Sequence, residues 1–532
     1  MIDCLFVHVP KFKNYYRPIG EYTFINYMPM GVLALADLLA CEGYATEVLH
    51  LGVEWIEDNG FSLIDYIAKK RPRIVALSLH WHPQSYEVLE QARMIKEAFP
   101  EIFIILGGLT ASFYHLEILE RFPWVDAVIR GEGEVPLLQL TEAISRGGSL
   151  DQVPNLTWRQ GDAVRENPLA YCASQEILDG LCFTNFSLLK NYRTYIDWVL
   201  MPFFVKGFSK ERNRLFFSLK TPLFDLMIGR GCPVNCTWCG GGKDAQMIIA
   251  GRRQVIFRDR ERVLDSIREA LRWGYETMHV CFDPYPQRPD YYLRLFSRIR
   301  EEKLKVEFFF ESFGLPTRAF IDAFAQTFGP RSLVALSPES GVEEVRRRNK
   351  GYAYTNQELW GCLEYIKGKG VKVDLFFGLG LPFERAEDLQ DTAQLITRIR
   401  RHFPNVQGIR TFTIEMEPGA PWQRHPAKFG IETRQLTFSD FYAYHKEEEE
   451  GFSAFGYHIP GYFSDLGAGA GRAFQQRLQE IRCRQFCFIN PDARKMSSPF
   501  WGRMLCRASI MMAKVARGWS QLRKSQTIFL FF

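Results

Sequence analysis

The sequence predicts an α/β protein that contains two sheets of mainly parallel strands. Short apolar runs alternate with helical patterns over the first 145 or so residues, and again in larger units from about residue 221 to about residue 430. Such alternation with short connections is typical of parallel strands that are covered by helices. Glycines follow several of the apolar runs, at the strand ends beyond which these folds bind ligands. Because glycine has no side chain, a bulky ligand can approach the backbone closely at these strand ends.

Length and composition limit the class of protein. A chain of 532 residues is too long for one ordinary core, so two or three domains are expected. The net charge of +5 is mild for this length and does not favour nucleic acid as a partner. The chain has twelve cysteines and no recognisable secretion signal, which predicts a reducing cytoplasm. The sequence contains no run of about 18 apolar residues, so no membrane span is predicted.

The first sheet is predicted from five apolar runs, with helices between them. Helical patterns cover Gly31–Cys41, Ile64–Lys70 and about Gln84–Phe99. Gly107-Gly108 follows the fourth run, and Gly131-Glu132-Gly133-Glu134 follows the fifth. The predicted strands are Ile2–Val9, Ala45–Leu51, Arg73–Leu79, Ile102–Leu106 and Val125–Arg130.

The rest of the chain divides into three stretches. Residues from about 150 to 220 are mixed in pattern and predict a linker that wraps between domains, with a helix around Ser187–Val199. The last hundred residues predict a small, mostly helical domain. Between them, the apolar run Phe224–Gly229 opens the second sheet, whose later strands are predicted at Glu276–Phe282, Lys305–Glu311, a run from Leu333, Val373–Gly378 and Thr411–Glu415.

Three closely spaced cysteines form the most specific motif, Cys232-x-x-x-Cys236-x-x-Cys239. Three thiolates on a turn that leaves a strand can hold three irons of a [4Fe–4S] cluster and leave the fourth iron open. A zinc knuckle is an alternative, but zinc usually needs a fourth Cys or His at similar spacing, and none lies in the next thirty or so residues. Unrelated buried thiols are the other alternative.

The cysteine spacing, with Trp238 before the last cysteine, resembles the signature of radical S-adenosylmethionine (SAM) enzymes. The resemblance implies a partial (β/α)6 barrel in which SAM binds the open iron and yields a 5′-deoxyadenosyl radical. It also implies contacts to SAM from the second, fourth and fifth strand ends; Glu311, at the end of the third strand, is a candidate for SAM ribose or substrate. The implied SAM contacts are Asp283, Gly378, and the pair Glu339 and Ser340. This pair lies in a stretch similar to the family's "ESG…NKG".

The first 145 residues resemble the cobalamin-binding domain that precedes many radical SAM domains, which has a Rossmann-like, flavodoxin-like fold. The similar pieces are Pro29-Met30-Gly31 with the helix after it, and the glycines after the fourth and fifth strands. A nucleotide-binding fold without a corrinoid is the alternative. The corrinoid contacts that the resemblance implies are Ser78, Gly107, Gly108, Gly131 and Glu132.

A histidine that ligates cobalt normally lies in Asp-x-His-x-x-Gly, and this motif is absent. His50 has the wrong spacing and no aspartate before it. His80 and His82, after the third strand, could lie near the lower face of the corrin, although ordinary strand-end histidines are the favoured interpretation. An unligated lower face favours cob(I)alamin, which is a strong nucleophile.

Together the resemblances predict four regions along the chain. They are a cobalamin-binding domain at 1–148, a linker or wrapping segment at 149–218, a radical SAM partial barrel at 219–430 and a C-terminal substrate or accessory domain at 431–532. The expected cofactors are a [4Fe–4S] cluster, SAM and cobalamin. A reductant such as flavodoxin or ferredoxin is an expected partner.

The resemblance implies a methyltransferase that acts on an unactivated carbon of a small-molecule, lipid or peptide substrate. Cob(I)alamin would take a methyl group from SAM to become methylcobalamin, and a 5′-deoxyadenosyl radical from a second SAM would activate the substrate. A cyclase or rearrangement enzyme with the same domains is an alternative, and a corrinoid-binding sensor is another. A methylthiotransferase would need three more N-terminal cluster cysteines, where this chain offers Cys4 and Cys41.

The sequence leaves the C-terminal region open. Cys483, Cys487 and Cys506 could hold a second cluster or act in catalysis, but reduced cysteines without such a role are favoured. The basic, aromatic tail could rest on a membrane surface. A helix that docks on the barrel is favoured instead. The catalytic acid or base, the substrate and the oligomeric state are not assigned.

Overall fold

The structure is a computed structural model that describes residues 2–11, 28–58, 60–198, 223–282, 288–385, 387–450 and 457–458. Five of the predicted features lie outside the described residues: Asp283, Cys483, Cys487, Cys506 and the basic tail.

The N-terminal sheet has seven strands in the order β2-β1-β3-β4-β5-β6-β7. The first five are parallel, and β6 and β7 continue the sheet as antiparallel strands. This last pair lies in the segment that was predicted as a linker. The strands are β1 (Cys4–His8), β2 (Thr46–His50), β3 (Ile74–Ser78), β4 (Phe103–Gly107), β5 (Ala127–Ile129), β6 (Leu156–Gln160) and β7 (Ala163–Glu166).

Helices cover both faces of this sheet, because alternate strand residues point to opposite sides. In β1, Cys4 and Phe6 join one apolar core, while Leu5 and Val7 join another. The helices are α1 (Met30–Cys41), α2 (Leu51–Glu57), α3 (Leu63–Lys70), α4 (Ser85–Ala98), α5 (Leu109–Phe113), α6 (His115–Arg121), α7 (Glu134–Arg146), α8 (Gln175–Gly180) and α9 (Tyr192–Trp198).

The strand order reverses between β1 and β3, because β2 lies on one side of β1 and β3 to β5 lie on the other. Open parallel sheets bind ligands in the crevice beyond the carboxyl ends of the strands at such a point. The fold therefore predicts a ligand site beside the residues that follow β1, β3 and β4.

The second sheet has six parallel strands in the order β15-β14-β13-β12-β11-β8, as the predicted partial barrel requires. A separate antiparallel pair, β9 and β10, lies next to the cysteine loop. The strands are β8 (Leu223–Asp225), β9 (Gly229–Arg230), β10 (Ile256–Phe257), β11 (Thr277–Val280), β12 (Glu307–Ser312), β13 (Leu333–Glu339), β14 (Lys372–Leu379) and β15 (Val406–Thr413).

Strand β15 begins at Val406, before the predicted start at Thr411. Gly408 and Arg410 interrupt the apolar pattern, so the sequence does not indicate the start of this strand. Both residues lie against Asp374 on β14: a Cβ at Gly408 would lie 2.9 Å from the Asp374 carboxylate, and Arg410 donates to this carboxylate at 3.1 Å.

Side chains cap the first turns of three barrel helices, those that follow Asp259, Thr317 and Thr355. Thr355, for example, forms a capping box with Glu358 at the start of its helix, which satisfies backbone N–H groups that would otherwise lack partners. The helices are α10 (Lys243–Ala250), α11 (Arg260–Arg272), α12 (Tyr291–Glu301), α13 (Arg318–Thr327), α14 (Glu343–Asn349), α15 (Asn356–Gly368), α16 (Asp388–His402), α17 (Pro421–Arg424) and α18 (Phe438–Glu450).

Helix α18 returns to the N-terminal domain after the barrel. Its Phe438 and Phe441 are fully buried in the apolar core that contains Leu5 and Val7. Glu117 of α6 accepts hydrogen bonds from the first backbone N–H groups of α18, at 2.7 Å and 2.9 Å. The segment that follows the barrel therefore completes the core of the first domain.

In the described part of the chain, none of the helices has the length and apolarity that crossing a membrane requires.

Candidate functional site

The three cysteines lie on the loop between β9 and α10, at the carboxyl end of the barrel. Backbone N–H groups point at their sulfurs: Gly351 donates to Cys236 Sγ and Gly241 donates to Cys239 Sγ, each at 3.3 Å. The N–H of Val234 donates to Cys232 and lowers the pKa of that thiol. Hydrogen bonds to sulfur stabilise thiolates and tune iron–sulfur clusters.

The thiols lie in a poorly solvated environment. Burial raises the pKa of Cys232 and Cys236, and raises that of Cys239 well above its ordinary value. Metal ligation requires the thiolate form, so iron binding must offset the free-energy cost of ionising these buried thiols. Within the described residues, no three His, Cys, Asp or Glu side chains are arranged around a single ion. Cysteines that bind a [4Fe–4S] cluster each ligate a different iron, so their sulfurs need not converge on one point.

Neighbouring elements fix the loop in place. Thr237, between the last two cysteines, donates from its backbone N–H to the Asn349 carbonyl at 2.9 Å and from Oγ1 to Asn349 Oδ1 at 2.7 Å. Gly240 donates to the Glu417 carboxylate at 2.6 Å. A Cβ at Gly351 would lie 2.4 Å from Val234 Cβ. The "NKG" stretch therefore supports the cysteine loop, a role that its local sequence does not indicate.

Glu339, at the end of β13, has the geometry of a ligand-binding carboxylate. It is 5% exposed and has a positive φ of 62°, a conformation that L residues other than glycine rarely adopt. Lys350 donates to Oε1 at 3.4 Å, while Oε2 is buried and accepts no hydrogen bond from the described residues. Burial raises the pKa of Glu339, and the Lys350 charge opposes this. An unsatisfied, strained acceptor of this kind fits the ribose hydroxyls of SAM.

Gly378 and Ser340 lie next to Glu339 and have different structural roles. A Cβ at Gly378 would lie 2.9 Å from Ile414 and 3.4 Å from Glu339 Oε2, so glycine keeps this space open. The Ser340 hydroxyl accepts the Val342 N–H at 3.2 Å and thus stabilises the turn after β13. A contact from Ser340 to the SAM carboxylate stays a prediction.

Glu311 lies deeper in the barrel, within a polar cluster that the spacing of its residues in the sequence does not indicate. His279 of β11 donates from Nε2 to Glu311 at 3.2 Å and from Nδ1 to Asp225 of β8 at 2.5 Å. Although burial disfavours the charged ring, these two carboxylates raise the pKa of His279 to about 10. The three residues are 32 and 54 positions apart in sequence, which explains why spacing did not reveal them.

The carboxyl edge of the N-terminal sheet contains the other predicted contacts. Ser78 and Gly107 are register partners at the ends of β3 and β4. A Cβ at Gly107 would meet nothing within 4 Å, so this edge has open space. Gly108 has a φ of +107°, and a Cβ there would lie 2.7 Å from His80 Cα. This open edge at the switch point fits a corrinoid.

Gly131 and Glu132 contact the barrel domain. A Cβ at Gly131 would lie 2.6 Å from Ala250 Cα at the end of α10. Glu132 accepts hydrogen bonds from Arg252 at 2.5 Å and 2.8 Å and from Arg230 at 3.1 Å. The close approach that these residues permit is to protein, and their contact with the corrinoid stays a prediction.

The three candidate histidines have different environments. His50 accepts the Val53 N–H at 3.3 Å and caps α2. His82 is buried, with Nδ1 3.1 Å from His445 Nε2 of α18. Burial lowers the pKa of His80 to about 4, so its ring is neutral at the end of β3. Of the three, His80 is best placed beside the open edge, and its contact with the lower corrin face stays a prediction.

Comparisons with known proteins match both parts of this site. A model of the B12 binding domain matches residues 23–141, and a model of the radical SAM superfamily matches residues 226–396. The solved radical SAM methyltransferase TsrM from Kitasatospora setae, with tryptophan and a SAM analogue bound, has a TM-score of 0.63 at 16% identity, over 88% of each chain. The structural likeness shows a shared fold.

Two curated relatives extend the comparison. An anaerobic magnesium-protoporphyrin IX monomethyl ester cyclase from Rubrivivax gelatinosus is 23% identical over 404 residues, which cover 74% of this chain and 65% of the cyclase. A hopanoid C-3 methylase from Methylococcus capsulatus is 25% identical over 246 residues, which cover 46% of this chain and 41% of the methylase. The chain thus spans less than two thirds of the length of both relatives.

Proposed function

The chain belongs to the radical SAM enzymes that carry a cobalamin-binding domain, and from this membership we propose that it transfers a methyl group to an unactivated carbon of its substrate. The substrate is a small molecule, a lipid or a peptide. The methyl group comes from SAM, which also serves as the source of the radical.

One observation supports this proposal most. The Glu132 carboxylate, which follows the fifth strand of the cobalamin-binding domain, pairs with Arg230 and Arg252 on the two sides of the cysteine loop. Methyl transfer by this chemistry needs the corrinoid and the cluster close to a common substrate. These ion pairs fix the carboxyl edge of one domain against the cysteine loop of the other.

Each group of residues then has a distinct task. When bound, the corrinoid would carry the methyl group, and the cluster would supply the electron that cleaves SAM. Cys232, Cys236 and Cys239 would hold the cluster, with backbone N–H groups at their sulfurs. Glu339 would orient SAM through its ribose, and Gly378 leaves room for it. Asp283 and Ser340 stay candidates for the amino and carboxylate groups of SAM.

A cyclase or rearrangement enzyme is the second candidate. The similarity to the Rubrivivax gelatinosus cyclase runs through both domains, over 74% of this chain. In that case, the same residues would generate the substrate radical, but the corrinoid would not deliver methyl.

Anaerobic turnover with labelled SAM separates the two candidates. The protein would be reconstituted with iron, sulfide and cobalamin, then given a strong reductant and SAM with a deuterated methyl group. Labelled methyl on the recovered cobalamin, together with S-adenosylhomocysteine, is the expected result. If 5′-deoxyadenosine forms without any transfer of label, methyl transfer is wrong and the second candidate takes its place.

The chemistry requires a source of low-potential electrons. We propose flavodoxin or ferredoxin as the reductant and the cytoplasm as the location, because such carriers and reduced cysteines occur together there. All nine cysteines among the described residues are free thiols.

A further inference from the structure

Three polar side chains share the inner face of the first three barrel strands. Asp225 of β8 and His279 of β11 are register partners, and Glu311 lies two residues beyond Phe309, the partner of His279 on β12. Strand residues two apart point to the same side of a sheet. Their neighbours Phe224, Met278 and Phe310 point to the opposite face and are buried in the apolar core. The three polar groups therefore face the barrel interior.

The cluster carries one net negative charge. Both ring nitrogens of His279 face carboxylate oxygens, and a nitrogen must carry a proton to donate to a carboxylate. The ring is therefore an imidazolium between two carboxylates.

The acceptors of the cluster are accessible and only partly used. The side chain of Glu311 is 37% exposed and that of Asp225 is 20% exposed. Glu311 Oε2 accepts no hydrogen bond in the described part of the chain, since the Glu311 contact with His279 uses Oε1. A ligand that reaches this point meets carboxylate oxygens, because both N–H groups of His279 are already engaged. Such a surface favours a hydrogen-bond donor with positive charge.

The cluster lies deeper than the predicted SAM contacts. Glu311 pairs with Ala335, which precedes Glu339 by four residues, or about 13 Å along a strand. Burial, with the charges of Glu311 and Asp225, raises the pKa of the Cys281 thiol to about 12, so this thiol next to the cluster stays neutral.

We propose that Asp225, His279 and Glu311 bind an ammonium group of the substrate. This inference rests on the proposed function and names the class of its substrate, an amine. A carboxylate or phosphate would place negative charge against two carboxylates and is disfavoured. The imidazolium acts as a positioning group that holds the two carboxylates apart without neutralising both.

Binding of three small probes tests the proposal directly. The anaerobically reconstituted full chain would be titrated calorimetrically with n-hexylamine, n-hexanol and hexanoate at neutral pH, where the amine is an ammonium and hexanoate an anion. We expect the ammonium to bind at least tenfold more tightly than the alcohol, and hexanoate to bind most weakly. Equal affinities, or a preference for hexanoate, would overturn the ammonium site.

Two substitutions at the cluster and one elsewhere sharpen the test. Glu311→Gln and Asp225→Asn should each lower the affinity for hexylammonium by about tenfold and leave that for hexanol within twofold. Glu301→Gln, on the exposed surface of α12, is the matched control and should change neither. If a cluster variant that is folded by circular dichroism keeps full affinity for the ammonium, the proposal fails.

The same preparations separate this inference from the proposed function. Transfer of labelled methyl from SAM to cobalamin does not need the substrate. Its absence in the unaltered protein would refute the methyltransferase, whereas the ranking of the probes tests the ammonium site alone.

Discussion

Glu132 of the first domain and Arg252 of the barrel are joined by two hydrogen bonds, at 2.5 Å from Nε and 2.8 Å from Nη2. Arg230, two residues before Cys232, donates to the same carboxylate at 3.1 Å. Arg252 follows α10, the helix into which the cysteine loop leads. One carboxylate therefore holds both sides of the loop against the cobalamin-binding domain.

Neutralising this carboxylate should be costly. Glu132→Gln would leave two arginines at the domain interface without their shared partner, and breaking a buried ion pair typically costs about 3 kcal/mol or more. Denaturant unfolding of the full chain under anaerobic conditions would measure the change. Glu142→Gln, which removes an exposed pair with Arg146 on α7, is the control and should cost about 1 kcal/mol or less. Equal losses in the two variants would contradict the role of Glu132.

Gly131 and Gly147 form a matched pair for testing the domain contact. Their φ values, +66° and +68°, are nearly the same, so Gly→Ala introduces the same backbone strain at both, about 1–2 kcal/mol. A Cβ at Gly131 would also meet Ala250 Cα at 2.6 Å, whereas one at Gly147 meets nothing within 4 Å. Thermal unfolding should therefore show a larger loss for Gly131→Ala. If Gly147→Ala is as damaging, the close approach between the domains is not what requires glycine.

Removing one cluster ligand should abolish SAM cleavage. Cys232→Ala would leave two cysteines on the loop, and we expect a large loss of bound iron and sulfide with no 5′-deoxyadenosine formed. Cys41→Ala, at an exposed thiol on α1, should change neither quantity. Formation of 5′-deoxyadenosine by an intact Cys232→Ala protein would be incompatible with the assigned cluster site.

The stability that His279 provides should depend on pH in a defined direction. Its folded pKa of about 10 is above the ordinary value of 6.5, so the charged form is favoured by folding. This contribution is complete below pH 6.5 and is lost as the pH rises through about 10. The difference in the free energy of unfolding between the natural protein and His279→Gln should therefore shrink from about pH 6 to about pH 10. A difference that grows over this interval would mean that the ring is neutral in the folded protein.

The sequence revealed the parts of the site that lie close together along the chain. The cysteine loop, the strand that ends at Glu339 and the glycines after β4 are local patterns, and the apolar runs around them placed each at a strand end. Parallel strands bring their carboxyl ends to one edge, so local patterns were sufficient to predict a shared site.

The missed features depend on pairing between distant segments. Asp225, His279 and Glu311 come together because β8, β11 and β12 are neighbours in register. Glu132 was expected at the corrinoid because its segment resembles the cobalamin-binding domain. Its arginine partners are 98 and 120 positions away, and nothing in the local sequence indicates them.

Helix α18 has a consequence for how this chain can vary among relatives. Phe438 and Phe441 fill the core of the first domain, and Glu117 of that domain caps the start of α18. A chain that ended after the barrel would lack α18. The apolar surface that α18 covers on the first domain would then be exposed, and the chain would tend to aggregate. The first domain and α18 must therefore be inherited together, and an exchange of barrels between relatives succeeds only when both flanking segments come from the same parent.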